Sequence, residues 1–206
     1  MGDVVFLVDT IINPQHARDV RNFLYIMVNG FNVSRETIRV GLAQYGDVPR
    51  SGFLLSTYNR KSDVLKHIQR FQFKSGGHKM GLALQFLLDH HFQETAGSRA
   101  SQGVPQVAVV ISSSPSEDHV PEAAEALKKA GVLLYTVGVK DAVLTELREI
   151  ASSPVEKFAS FVPNFSDLSS HAQKLRQRLC DTLAKAAQPA GYVLPGTEDF
   201  PFLFLI

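Results

Sequence analysis

Five apolar residues in succession, Val4-Val5-Phe6-Leu7-Val8, stand almost at the start of the chain. An unbroken apolar run of this length is the pattern of a central parallel strand covered on both faces. The same pattern returns over 106–111 (QVAVVI) and 132–139 (VLLYTVGV). Elsewhere the period becomes helical. Val20, Phe23, Leu24 and Met27 predict a helix over 14–28, with Pro14 suited to its first position and Gly30 ending it. Ile38, Val40 and Leu42 alternate and predict a strand over 37–45. Residues 47–49 turn the chain, and 51–55 reads as a short return strand. So short a connection cannot make a parallel crossover, so this strand is antiparallel. Further helices are predicted over 62–71, capped by Ser62 and carrying Val64, Leu65 and Ile68 on one face, and over 80–92. Three more follow over 120–131, stopped by Gly131, over 142–151 and over 166–186. A short strand falls at 158–162, and 93–104 reads as a polar loop.

Strands alternating with helices imply a doubly wound α/β fold. The sheet has six mostly parallel strands with one antiparallel edge strand, and helices cover both faces. The 206 residues are 45% apolar, enough for one domain with a substantial core. The pattern assigns 3–187 to that domain and 188–206 to a linker or appended tail with a late apolar burst over 200–206. The opening Met-Gly-Asp reads as an initiator placed before a domain cut from a longer chain, with no secretory signal. Phe6 stands where myristoylation needs Ser or Thr. No apolar run approaches the roughly 20 residues of a membrane span.

Charge narrows the function classes. With 21 basic and 20 acidic residues the net charge is +1, which gives no broad attraction for nucleic acid or an anionic membrane and leaves only local patches. The one cysteine, Cys180, cannot pair within the chain. It is either a half-buried helix residue or half of a bond to a segment outside it.

The chemistry is expected where β-strands end in an open α/β sheet. Asp9 follows the first strand. A dinucleotide site needs G-x-G-x-x-G there, but the turn is Asp9-Thr10-Ile11-Ile12-Asn13, with no glycine and a charge that repels phosphate. A phosphate loop is also missing from the sequence. Ser112-Ser113-Ser114 follows a strand but lacks the glycines of a nucleophile elbow. His90 and His91 with Glu94 hint at zinc, yet adjacent histidines point to different helix faces and read as a solvated helix end. One arrangement does unite three loops: a metal above the sheet, gripped by the Asp9 turn, the Gly76-Gly77 loop and the Ser112–Ser114 turn.

At these residues the sequence resembles the von Willebrand factor type A domain. The matching pieces are DVVFLVD, SGGHKMGLAL and VPQVAVVISSSPSED followed by AAEALKKAGVLLYTVGV, in order and across 3–186. GVLLYTVGVKDA and LRQRLCDTLAKA are most similar to the tandem A domains of the collagen type VI alpha-3 chain. The resemblance implies a Rossmann-like sheet and, in many members, a metal-ion-dependent adhesion site. That site's first loop reads Asp-x-Ser-x-Ser; here the positions are Asp9, Ile11 and Asn13. Its second-loop threonine falls at or near Lys79, and its aspartate after the fourth strand falls at Ser113.

Magnesium wants near-octahedral oxygen ligands with one or two carboxylates. Asp9 supplies one carboxylate, Ile11 no side-chain oxygen, Asn13 a neutral carbonyl and Ser113 an uncharged hydroxyl. Lys79 would bring a cation. At an effective dielectric of about 20 a unit charge ~4 Å away interacts at around 4 kcal/mol, doubled for a divalent ion. This is comparable to the attraction of Asp9 itself. The site is therefore expected to be degenerate and to hold no tight metal, with Asp9 paired to Lys79 or accepting backbone hydrogen bonds. A weak magnesium ion resting on Asp9 and water is the residual cofactor reading. The expected function is a non-catalytic, secreted interaction module of a collagen VI-like matrix chain. Its expected partners are collagens and neighbouring A domains, not nucleic acid or membrane. The alternative is a magnesium-dependent adhesion domain whose site a ligand carboxylate completes. In a secreted protein, the Asn32-Val33-Ser34 and Asn164-Phe165-Ser166 triplets become glycosylation candidates at Asn32 and Asn164.

Overall fold

A computed structural model describes residues 1–186. The expectations for the tail lie outside the described residues. Six strands form one sheet in the order β3-β2-β1-β4-β5-β6. They are β1 (Gly2–Val8), β2 (Ile38–Gln44), β3 (Arg50–Phe53), β4 (Gln106–Ser112), β5 (Val132–Val139) and β6 (Ala159–Val162). All pairings are parallel except β2 with β3, an antiparallel hairpin whose register shifts at Leu42/Ala43. β1 is central and wholly buried, as its unbroken apolar run requires.

Among the described residues, seven α-helices cover the two faces: α1 (Pro14–Asn29), α2 (Lys61–Arg70), α3 (Met80–Phe86), α4 (Pro121–Lys129), α5 (Leu144–Ile150), α6 (Val155–Phe158) and α7 (Leu168–Ala186). Alternate β1 side chains serve opposite layers. Val4, Phe6 and Val8 pack with α1, α2 and α7, whereas Val5 and Leu7 pack with α3 and α4. Each large apolar side chain buried this way contributes about 1.5–3 kcal/mol. α1 presents Val20, Phe23, Leu24 and Met27 to the sheet, starts at Pro14 and is capped by the Asn13 side chain. Gly131, just beyond α4, has φ +84, the left-handed conformation in which a β-carbon is costly.

The sequence placed several elements differently. Ser62 is not a cap: α2 begins at Lys61, and Arg60 at its N-cap makes no side-chain cap bond. The helix expected over 80–92 is α-helical only to Phe86 and then widens into a π turn over Leu87–His91. That extra residue turns His91 inward. Instead of lying at a solvated end, His91 is 0% exposed, and its Nε2 lies 2.8 Å from Ser51 Oγ. The polar segment 93–104 holds two 3-10 turns, Glu94–Ala96 and Ala100–Gln102. It is anchored by the buried Arg99, whose guanidinium donates to Asp3 Oδ1 at 2.6 and 2.9 Å and to the carbonyls of Gly2, Arg35 and Thr37.

The crossover from β1 passes to one side of the sheet and that from β4 to the other. The carboxyl ends of β1 and β4 therefore flank the switch point, where open α/β sheets place their sites. At the opposite pole β1 begins beside the last turns of α7. A Cβ on Gly2 would stand 2.7 Å from Leu183 Cδ1.

Candidate functional site

Asp9 sits just past β1 at the switch point and is 1% exposed. Its Oδ1 accepts from Thr10 N at 2.7 Å and pairs with His78 Nδ1 at 2.8 Å. Its Oδ2 accepts from Ser113 N and Ser113 Oγ, both at 3.0 Å. Burial raises the Asp9 carboxyl above the usual range, and the donors on Ser113 and His78 offset only part of that rise. The three loops expected to converge, around Asp9, Gly76-Gly77 and Ser113, thus meet on one carboxylate.

Lys79 does not take part in the Asp9 pair. It occupies the N-cap position of α3, half-buried, and its backbone N–H donates to Gly46 O at 3.1 Å. The preceding residue, His78, points to Asp9 instead. Acceptance of backbone donors, the other expectation for Asp9, is what occurs at Thr10 and Ser113. Ile11 is 7% exposed and belongs to the core on the α1 side. Asn13 spends its Oδ1 on Gln15 N at 2.8 Å, as the cap of α1. Thr10 Oγ1 donates away from Asp9, to Lys74 O at 2.9 Å. Among the described residues no group of three or more His, Cys, Asp or Glu side chains is placed to hold a metal.

Two residues that organise the site carried no signal in the sequence. One is His78, hidden beside the more conspicuous Lys79. The other is Asp118, in the β4–α4 connection. Its carboxylate accepts from Gly81 N at 2.7 Å and Leu82 N at 2.8 Å, so it caps α3 from another segment. Ser116 Oγ joins them, donating to Asp118 Oδ1 at 2.8 Å. Gly81 is needed for this fit, because a Cβ there would lie 2.0 Å from His119 O. A local pattern of the S-x-x-E kind could not reveal a cap supplied 37 residues away.

A cleft of about 230 Å³ opens beside Asp9, lined in part by Ile11, His16, His78, Ser113, Lys140 and Phe165. Large apolar side chains are exposed around the same pole: Ile12 at 79%, Val48 at 73%, Leu82 at 45% and Leu144 at 40%. They sit in the β1–α1 loop, the β2–β3 turn, the first turn of α3 and the start of α5.

The von Willebrand factor type A domain model matches residues 3–174. The chain belongs to that family. This A domain is 66% identical over 188 residues to the mouse collagen alpha-4(VI) chain, covering 91% of this chain and 8% of that protein. It is 37% identical to the human collagen alpha-6(VI) chain over 97% of this chain and 9% of that one. Chicken matrilin-1 is 33% identical, over 86% of this chain and 36% of its own. The A domain thus spans less than a tenth of these collagen VI relatives. They establish collagen VI kinship without singling out the alpha-3 chain. Among solved structures, proximal thread matrix protein 1 from the mussel byssus superposes with TM-score 0.81 at 21% identity, over 87% of this chain and 48% of that one. Manganese-loaded Plasmodium vivax TRAP protein follows the same fold, with TM-score 0.68 at 19% identity, over 85% and 73%.

Proposed function

We propose that this A domain is a non-catalytic interaction module of a secreted, collagen VI-like matrix chain, and that its adhesion site is degenerate. The observation that carries the reading is the state of Asp9. A carboxylate offers about four lone-pair positions, and Thr10 N, His78 Nδ1, Ser113 N and Ser113 Oγ engage four. A cation would have to displace these donors and find its remaining oxygens without Ile11, with Asn13 capping a helix. With that one carboxylate engaged by four donors and no side-chain oxygen at Ile11, the loops are a poor match to magnesium's six oxygen ligands. The apolar residues around this pole supply what the ion does not. Ile12, Val48, Leu82 and Leu144 at this pole offer a protein partner apolar side chains to cover.

The partners on this reading are matrix proteins such as collagens and neighbouring A domains, met through the loops at the carboxyl end of the sheet. Asn32 and Asn164 are exposed in loops and are the proposed glycan acceptors. Calorimetric titration of the chain with magnesium is expected to give no saturating heat at millimolar ion. Micromolar binding would overturn the metal-free reading. Capture on immobilised collagens is expected to be unchanged by chelator; chelator-sensitive capture would establish the magnesium-dependent alternative.

A further inference from the structure

The clefts of the described fold differ in what lines them. The one beside Asp9 includes Lys140 and Asp141. Another, against α2, includes Asp63, Lys66 and Arg70, and a third, at the end of β2, includes Asp47, Arg50 and Lys74. The charged groups in each cost free energy to cover. A groove of about 360 Å³ at the amino pole is different, because no charged residue lines it. It is built from the starts of β4 and β5, the 3-10 turn at Ala100–Gln102, the turn after α4 and the end of α7. Val104, Pro105 and Leu133 give it apolar faces, and Ala100, Ala130 and Ala186 stand exposed along it. The polar side chain in the lining, Gln106, is already spent. Its Nε2 donates to Asp3 Oδ2 and Val104 O, and its Oε1 accepts from Ser98 Oγ. The turns at Gly103 and Gly131 leave open space, since a Cβ on either would meet nothing within 4 Å. The groove therefore suits an apolar occupant and has no side-chain charge to offer a polar one.

The chain carries such an occupant. Phe200-Pro201-Phe202-Leu203-Phe204-Leu205-Ile206 is apolar at every position, and three of the 14 phenylalanines fall within it. It lies outside the described residues, but Ala186, the last described residue, itself lines the groove. The intervening stretch 187–199 spans up to about 45 Å when fully extended, so a return to the groove needs no rearrangement of the fold. An anchor tethered this close meets its groove at an effective concentration on the order of millimolar. Modest apolar contact then suffices to hold it. The exposed apolar side chains Ile12, Val48, Leu82 and Leu144 compete poorly, because they lie at the far end of the sheet from Ala186.

We propose that residues 200–206 dock in the amino-pole groove of their own chain, with Phe202 and Phe204 as the buried anchors. In an extended segment these two point to the same side, and a groove of this size takes a few side chains rather than all seven. Docking covers Val104, Pro105 and Leu133 and leaves the loops around Asp9 free, so the two poles act independently.

The chain has no tryptophan, so Phe204→Trp in the full chain gives a single fluorescent reporter. Its emission is expected to be blue-shifted and shielded from acrylamide, unlike that of the urea-unfolded chain. Ala100→Glu/Ala130→Glu puts carboxylates at two exposed groove positions and is expected to abolish the shielding. Asn59→Glu, exposed just before α2, is expected to leave it intact. Circular dichroism checks folding. Should the paired change unfold the domain, a chain stopped at Asp199 carries the comparison. Hydrogen exchange at Val104 and Leu133 is then expected to quicken, with β1 unchanged. An unshielded reporter overturns the proposal, as does shielding that survives the groove changes in a folded chain, or exchange that removal of 200–206 leaves unaltered. Shielding lost on dilution, with dimers in sedimentation at higher concentration, overturns the assignment to the same chain and gives the groove to a second copy.

Discussion

His91 shows how much a single buried side chain can couple this domain to pH. It is fully buried, Nε2 meets Ser51, and Nδ1 has no hydrogen-bond partner among the described residues. Burial, with His90 beside it, pulls its pKa down from 6.5 to about 4. Below 6.5 the unfolded chain therefore binds a proton that the folded one refuses, and stability falls as pH drops through that window. Between pH 7.5 and 5 the loss from this residue is about 2 kcal/mol. Urea midpoints across that range are expected to fall steeply for wild type and less for His91→Gln; equal slopes would show that other groups carry the effect. Asp9 works in the opposite sense, since its carboxyl is raised, so its contribution falls as pH rises above 3.8. Asp9 and Ser113 were legible in the sequence because strand ends locate them. His78 and His91 were not. Their directions depend on where a helix starts and on a π turn, and neither leaves a periodic trace.

At the scale of elements, β1, β4 and β5 could be read from composition alone, since burial on both faces demands unbroken apolar runs. Helix ends were less legible, because their orphan N–H groups are satisfied from a distance. α3 is the clearest case: Lys79 precedes it without capping, and Asp118 does the work from the next connection. Asp118→Ala leaves Gly81 N and Leu82 N without their acceptor. It is expected to cost about 1–2 kcal/mol, the worth of a good cap. Hydrogen exchange over 80–86 is expected to quicken before the rest of the sheet responds. Uniform exchange throughout would mean that α3 is held by packing alone. Because the Asp118 loop also positions Ser116 against His78 O, the same change is expected to loosen the Asp9 surround.

For the whole molecule, the described fold has two poles and two layers, each with its own chemistry. The carboxyl pole carries Asp9 and several exposed apolar side chains; the α1–α2–α7 layer carries nine basic residues against three acidic ones. The fold class was legible because alternation of strand and helix leaves few topologies. The layer charges were not, since they emerge only when three separated helices are brought side by side. Glycan placement belongs to this scale as well. Asn32 lies just before β2, at the amino pole, and Asn164 after β6, at the carboxyl pole. Peptide mapping of the protein secreted from mammalian cells is expected to find sugar on these asparagines, and complete non-occupancy of both would count against a secreted life.

The contact between Gly2 and Leu183 has a mechanical consequence. Were load applied through Gly2 and the end of α7, it would enter and leave at neighbouring points at the foot of the sheet. Asp9 stands a whole strand away, seven residues or about 23 Å. Held there, the fold would behave like a pendant on a clasp: tension would tug at the clasp and leave the ornament's far face undisturbed.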